Sequence, residues 1–213
     1  MTPDDVKARI GTFAPEIDFW LGDVLEGKVI KSLGGLGTTG VGLLFDGQPG
    51  RGKTTHAVVT LLELIRRLPQ DDKEAREILG YSITDYGRSA RPIYYMTFPD
   101  FLGRKKAMFD AEPDQRRELQ LEMDGFHGRS VLDHLNVRVL VLDDIGKEYG
   151  SSYNNAGFDE VIRSRYDKAL PTIVTTNTPR EEWKNKYGDA MGSFVHEAFT
   201  RVIIDTKDLR RTR

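Results

Sequence analysis

Apolar and polar positions alternate along this chain in two periods, and the switches between them outline strands and helices. Short apolar runs predict buried strands at "VGLLFD" (Val41–Asp46), "PIYYMT" (Pro92–Thr97), "VRVLVLDD" (Val137–Asp144) and Thr172–Thr176, the last β-branched almost throughout. After the first run, Val58, Leu61, Leu62, Ile65 and Leu68 keep helical spacing. Near the N-terminus, Ile17, Trp20, Leu21 and Val24 fall at i, i+3, i+4 and i+7, which predicts an amphipathic helix. A glycine-rich joint, "GGLGTTG" from Gly34 to Gly40, follows it. Residues 1–35 therefore read as a helical arm whose apolar stripe either packs on the core or docks a partner, and residues 36–213 as one larger domain. The polar stretch Pro69–Arg91 reads as a surface excursion.

Between the first strand and its helix lies "GQPGRGKTTH", Gly47 to His56. Glycines this dense cost about 0.5–1 kcal/mol each inside regular structure, so they belong where the backbone must turn its N–H groups toward a ligand. Gly47 to Thr54 fits G-x-x-x-x-G-K-[ST], the phosphate-cradling loop. Strand, glycine loop and helix is the order that aims a helix N-terminus at phosphates. Gly47, Gln48, Pro49, Gly50, Arg51, Gly52, Lys53, Thr54 and Thr55 are thus candidates to bind ATP, with Lys53 also catalytic and Thr54 a ligand of Mg²⁺.

The third run ends in two aspartates. An apolar strand ending in Asp is where a P-loop enzyme holds its Mg²⁺, so Asp143 is the metal candidate. Asp144 then stands where a carboxylate can orient or deprotonate the attacking water. The strand Thr172–Thr176 ends in Asn177, whose amide either holds that water or the γ-phosphate opposite Lys53, or is a turn residue ahead of Pro179.

Composition narrows the setting. A chain of 213 residues buries about 70% of its unfolded surface. With no cysteine it has neither disulfides nor thiolate metal sites, which suits a cytoplasmic location. No apolar run approaches the ~20 residues of a membrane span. At a net charge of −2, nucleic acid would have to be held by a local basic patch. The candidate is "FLGRKKAMF", Phe101 to Phe109, in which Arg104, Lys105 and Lys106 sit among aromatic and apolar residues. Phe101, Leu102, Met108 and Phe109 also have helical spacing, which would make them a core face.

The strand and P-loop, "LVLDDIGKE", and the helix ending "IRSRYDKALPTIVTTN" together resemble the AAA+ ATPases of the DnaC and IstB group, which comprises helicase loaders and transposition helpers. The resemblance runs from about Gly40 to the C-terminus. It implies an α/β fold, a parallel sheet sandwiched by helices without a C-terminal helical lid. It makes Asn177 the sensor residue and Arg201, in "EAFTRVII", an arginine finger that precedes the last strand and reaches a neighbour's γ-phosphate. It makes Arg210, in "DLRRTR", a second phosphate sensor. It further implies self-association into a ring or spiral, single-stranded DNA on the inner face, and delivery of a replicative DNA helicase. The alternatives are a transposition helper that binds duplex DNA and recruits a transposase, and a nucleotide-gated binding module with little turnover. A small-molecule kinase would need an arginine-rich lid, which the sequence lacks. Arg163 and Arg165 fit either a subunit interface or a solvated helix face.

Overall fold

A computed structural model describes residues 14–26, 42–81, 90–146 and 152–205. Within them β1 (Gly42–Asp46), β2 (Ile93–Thr97), β3 (Val139–Ile145), β4 (Thr172–Thr176) and β5 (Phe199–Ile203) form one sheet in the order β2-β3-β4-β1-β5. Every neighbouring pair is parallel. Parallel strands need long crossovers, and helices supply them. These are α1 (Pro15–Leu25), α2 (Lys53–Arg67), α3 (Asp72–Ile78), α4 (Phe98–Asp110), α5 (Pro113–Phe126), α6 (Ser152–Asp167), α7 (Arg180–Tyr187) and α8 (Asp189–Ala198). The sheet is sandwiched, as expected of the P-loop α/β class. The described residues reach Asp205, two past β5, and among them no helical lid follows that strand.

Side chains alternate across each strand and so divide the core in two. On one face Leu43, Phe45, Val139, Val141, Ile173 and Val202 pack against α1 and α2. On the other, Leu44, Leu140, Leu142 and Val174 meet α4 to α8. The stripe Ile17, Trp20, Leu21 and Val24 is buried in the first of these clusters. The stripe thus packs on the core; the boundary expected at residue 35 lies outside the described residues.

Helix α2 differs from the expected face. Ile65 is about half exposed; Leu61 is buried as expected, but with His56, Ala57, Val59, Thr60, Glu63 and Leu64 beside it. The helix packs against both the sheet and α1, which also lies on the sheet, and so is covered over a wider arc than one apolar stripe. Glu63 is tolerated there because Arg67 donates to it at 2.9 Å while also reaching Asp18 of α1. The described part of the excursion Pro69–Arg91, residues 69–81, 90 and 91, holds more order than its polarity implied. It contains α3, capped by Asp71 accepting from the Glu74 N–H at 2.9 Å. Tyr81, three residues past α3, is buried and donates to the Asn136 carbonyl at 3.0 Å.

Arg165 is the larger correction. It faces neither solvent nor a neighbour but is fully buried under the start of β3 and β4. Its guanidinium donates to the carbonyls of Phe126, Val137, Arg138 and Pro171 and to Thr172 Oγ1, all at 2.8–2.9 Å. Burial, then the nearby Arg138 charge, lowers its pKa to about 9, which leaves it charged at neutral pH. Arg163, by contrast, is surface-lying, paired with Asp159 at 2.7 Å and stacked over Phe194.

Candidate nucleotide and metal site

The loop after β1 turns through left-handed backbone at Gly50 and Gly52, with φ of 83° and 86°, before α2 begins at Lys53. A side chain at either position would be strained, which accounts for the glycine spacing. Lys53 is buried, and its ammonium donates to the carbonyls of Gly47 and Gln48 at 2.7 and 2.8 Å. It therefore already lies over the loop that would receive phosphates. Arg51 reaches back to Gln48 across the outer side of the same loop.

Thr54, one residue on, faces the end of β3. Its hydroxyl lies 3.0 Å from each carboxylate oxygen of Asp143. Thr54 and Asp143, expected as metal ligands from positions 89 residues apart, are thus brought together. A hydroxyl and a carboxylate are hard oxygen donors, the chemistry Mg²⁺ takes, with phosphate and water oxygens completing its shell. Among the described residues no cluster of three His, Cys, Asp or Glu offers a competing metal site.

Two further hydroxyls hold Asp143, and neither was anticipated. Thr175 of β4 donates to Oδ1 at 2.5 Å, and Tyr95 of β2 donates to Oδ2 at 2.7 Å. Burial, then the Asp143 carboxylate, raises the Tyr95 pKa, so the phenol keeps the proton it donates. Strand parity held the signal for both: Thr175 shares a face with Ile173, and Tyr95 with Ile93, all toward α2.

Neighbours in a strand should point to opposite faces, yet Asp143 and Asp144 both serve this edge. The reason is a bulge. Leu142 pairs with Val174 and Ile145 with Thr176, so two residues of β3 stand opposite the single Thr175. Asp144 takes φ of 68°, uncommon for a residue with a Cβ, and its N–H donates to Thr175 Oγ1 at 2.9 Å. Its carboxylate accepts from Asn177 Nδ2 at 2.9 Å. Asn177 is therefore beside Asp144. Lys186 of α7 also reaches this edge, donating to the Gly146 carbonyl at 2.5 Å.

Arg201 lies elsewhere. It is the third residue of β5 rather than a residue before it, and its guanidinium pairs with Asp46, the last residue of β1. The pair borders a cleft of about 680 Å³ between the β1–β5 edge and α7–α8, lined also by Trp183, His196 and Phe199. By parity with Leu44 this is the sheet face away from Thr54 and Asp143. Arg210 lies outside the described residues. Arg104 and Lys105 are committed to Glu122 and Glu160 at 2.5 and 2.6 Å, whereas Lys106 is exposed. Phe101 and Leu102 are core residues, and Phe109 is about two-thirds exposed.

Comparison with known proteins agrees with this geometry. Residues 105–203 match the family model described as IstB-like ATP binding protein. The similarity to that family covers a little under half of the chain. No curated protein matches it in sequence. Among solved structures it is similar to the DnaC helicase loader, with 21% identity and a TM-score of 0.55 over 89% of this chain and 86% of that one. DnaI is similar at 18% identity and TM-score 0.53, over 96% and 94%. The replication initiator DnaA bound to AMPPCP and single-stranded DNA is similar at 17% identity and TM-score 0.56. This chain covers half of that initiator's length. Identities this low speak for the fold alone. Among the described residues no helix is long and apolar enough to cross a membrane.

Proposed function

We propose that this protein is an ATPase that self-associates on ATP, binds single-stranded DNA and delivers a replicative DNA helicase. The observation that carries the hydrolytic part is the meeting of Thr54, Asp143, Asp144 and Asn177 at one sheet edge beside the P-loop. ATP enters with its phosphates against the N–H groups of Gly50 to Thr55, and Lys53 exchanges two loop carbonyls for phosphate oxygens. Thr54 and Asp143 would hold Mg²⁺, which neutralises charge on the β- and γ-phosphates. Asp144 orients the water for in-line attack and takes its proton, while Asn177 fixes the Asp144 carboxylate. The new bond is from water oxygen to the γ-phosphorus, and the bond that breaks leaves ADP.

Arg201 completes the site in trans. It borders an open cleft and leaves Asp46 to meet the γ-phosphate of the adjoining subunit. Arg210 is proposed as the second phosphate sensor. The likeness to the DnaC helicase loader, over most of both chains, supports the helicase as partner. The DnaA likeness supports single-stranded DNA as ligand. The IstB-like family match supports a second reading, a transposition helper on duplex DNA.

The test is steady-state ATP hydrolysis against protein concentration, with and without single-stranded DNA, followed by pull-down with a replicative helicase and a transposase in ATP. Specific activity should climb with concentration and with single-stranded DNA, and the helicase should be retained. Mixing Lys53→Ala with Arg201→Ala should restore part of the activity that each lacks, because one protomer supplies the finger and the other the site. A dead mixture with dilution-independent wild-type activity would remove Arg201 from catalysis and leave it as the partner of Asp46. Retention of the transposase alone would replace the loader by the helper.

A further inference from the structure

One hydroxyl touches both acidic residues. Thr175 stands opposite the β3 bulge, where Asp143 and Asp144 together face a single residue of β4. Its Oγ1 donates to Asp143 Oδ1 at 2.5 Å and accepts from the Asp144 N–H at 2.9 Å. A threonine hydroxyl has one proton to give, so these two bonds fix its direction: Asp144 N–H to Thr175 oxygen, Thr175 proton to the Asp143 carboxylate. Hydrogen bonds chained in this sense polarise one another, most strongly where water is excluded. Thr175 is 1% exposed.

The chain of bonds also acts on backbone shape. Asp144 is held at φ of 68°, which is costly for a residue with a Cβ. Its carboxylate is engaged with Asn177, and its N–H with Thr175. The Thr175 acceptor gives the turned N–H of Asp144 a partner only when the turn is made. Loss of that acceptor leaves a donor at the bulge without its bond, and relaxes the restraint on where the Asp144 carboxylate points.

We infer that Thr175 is the positioning residue that couples the metal-holding carboxylate of Asp143 to the water-orienting carboxylate of Asp144. The inference rests on the nucleotide reading above and extends it to a residue buried behind the two carboxylates. It acts on two groups at once. On Asp143 it fixes the oxygen opposite the one taken by Tyr95, leaving the face toward Thr54 for a metal. On Asp144 it fixes the backbone, and through it the direction of the side chain.

The test uses the full chain with Thr175→Val, which keeps the β-branched shape without the hydroxyl, and Thr175→Ser, which keeps the hydroxyl. Binding of a fluorescent ATP analogue is measured without Mg²⁺ and across a Mg²⁺ titration, alongside kcat and KM and a thermal melt. Thr175→Val should bind the analogue normally without Mg²⁺, need several-fold more Mg²⁺ for its Mg²⁺-dependent binding, and lose at least tenfold in kcat with KM within about twofold. Thr175→Ser should recover most of both losses. A folded Thr175→Val with wild-type kcat and Mg²⁺ midpoint overturns the inference, and so does a Ser variant as impaired as the Val one. If Thr175→Val does not fold, Thr175→Ser against Thr175→Ala decides by the same two readouts, and equal behaviour of the pair overturns it. A wild type that binds ATP without hydrolysing it defeats the ATPase reading, yet the Mg²⁺ midpoint still judges Thr175. A wild type that binds no nucleotide defeats both.

Discussion

The two ends of the β3–β4 pair carry buried polar networks of opposite design. At the N-terminal end Arg165 meets five acceptors, and every donor of its guanidinium is used. At the C-terminal end three hydroxyls converge on Asp143, and Asp144 and Asn177 pair beside it at the rim. The first network is closed, with a charge solvated by fixed carbonyl dipoles and no place for a ligand. The second is open, because it lies at the rim beside the P-loop, where Asp144 and Asn177 are partly exposed. A closed network has only stability to contribute; an open one at a P-loop has room for chemistry.

The largest effect should come from breaking the closed end. Arg165→Leu leaves the carbonyls it served without their donor and should cost about 3–5 kcal/mol. In a chain of this size that lowers the melting temperature by roughly 10 °C or more, as calorimetry would read. A melt within 2–3 °C of wild type would mean the guanidinium is not carrying that end of the sheet. The open end should respond in function and hardly at all in stability. Lys53→Ala should lose about a hundredfold or more in nucleotide affinity, because a charge on the β/γ-phosphates is gone. Asp144→Asn should bind nucleotide normally and lose about 10²-fold or more in kcat, separable by fluorescent ATP titration beside steady-state hydrolysis. A variant at either position that melted like Arg165→Leu would erase the contrast between the two ends.

Smaller shifts sharpen the contrast. Tyr95→Phe removes one of three hydroxyls from Asp143 at a partly exposed edge strand. A change of only a few-fold in Mg²⁺ dependence is expected, with little change in melting. The smallest effect lies outside both networks, on α4. Arg104 and Lys105 are spent on Glu122 and Glu160, so Lys106→Ala should change the salt slope of single-strand binding by about 0.7 and Arg104→Ala by less. Equal slopes for the two variants would show that the ion pairs open on binding.

Much of this was legible in the residues. The P-loop, the strands at Val41, Pro92, Val137 and Thr172, and the pairing of Thr54 with Asp143 follow from spacing and from where apolar runs end. What stayed hidden depends on contacts between distant segments. Arg165 looks like any charged residue near a helix end, since its acceptors come from Phe126, Val137, Arg138 and Pro171. The face of α2 was misread because α1 covers it from a second side. Asp46 as the partner of Arg201 is 155 residues away and joined to it only by strand order. Thr175 and Tyr95 were within reach, because parity places them toward α2, but parity alone says nothing of a bulge.

That bulge has a consequence for how such a site changes over generations. Leu140, Leu142 and Ile145 pack in one core cluster, so the strand's hydrophobic count runs as though Asp144 were not there. Removing that one codon would give Leu142, Asp143 and Ile145 the alternation of an ordinary strand, with the core register intact. The second carboxylate thus stands as one extra residue in an otherwise regular strand. A lineage could shed it, or regain it, in a single genetic event without redrawing the sheet around it.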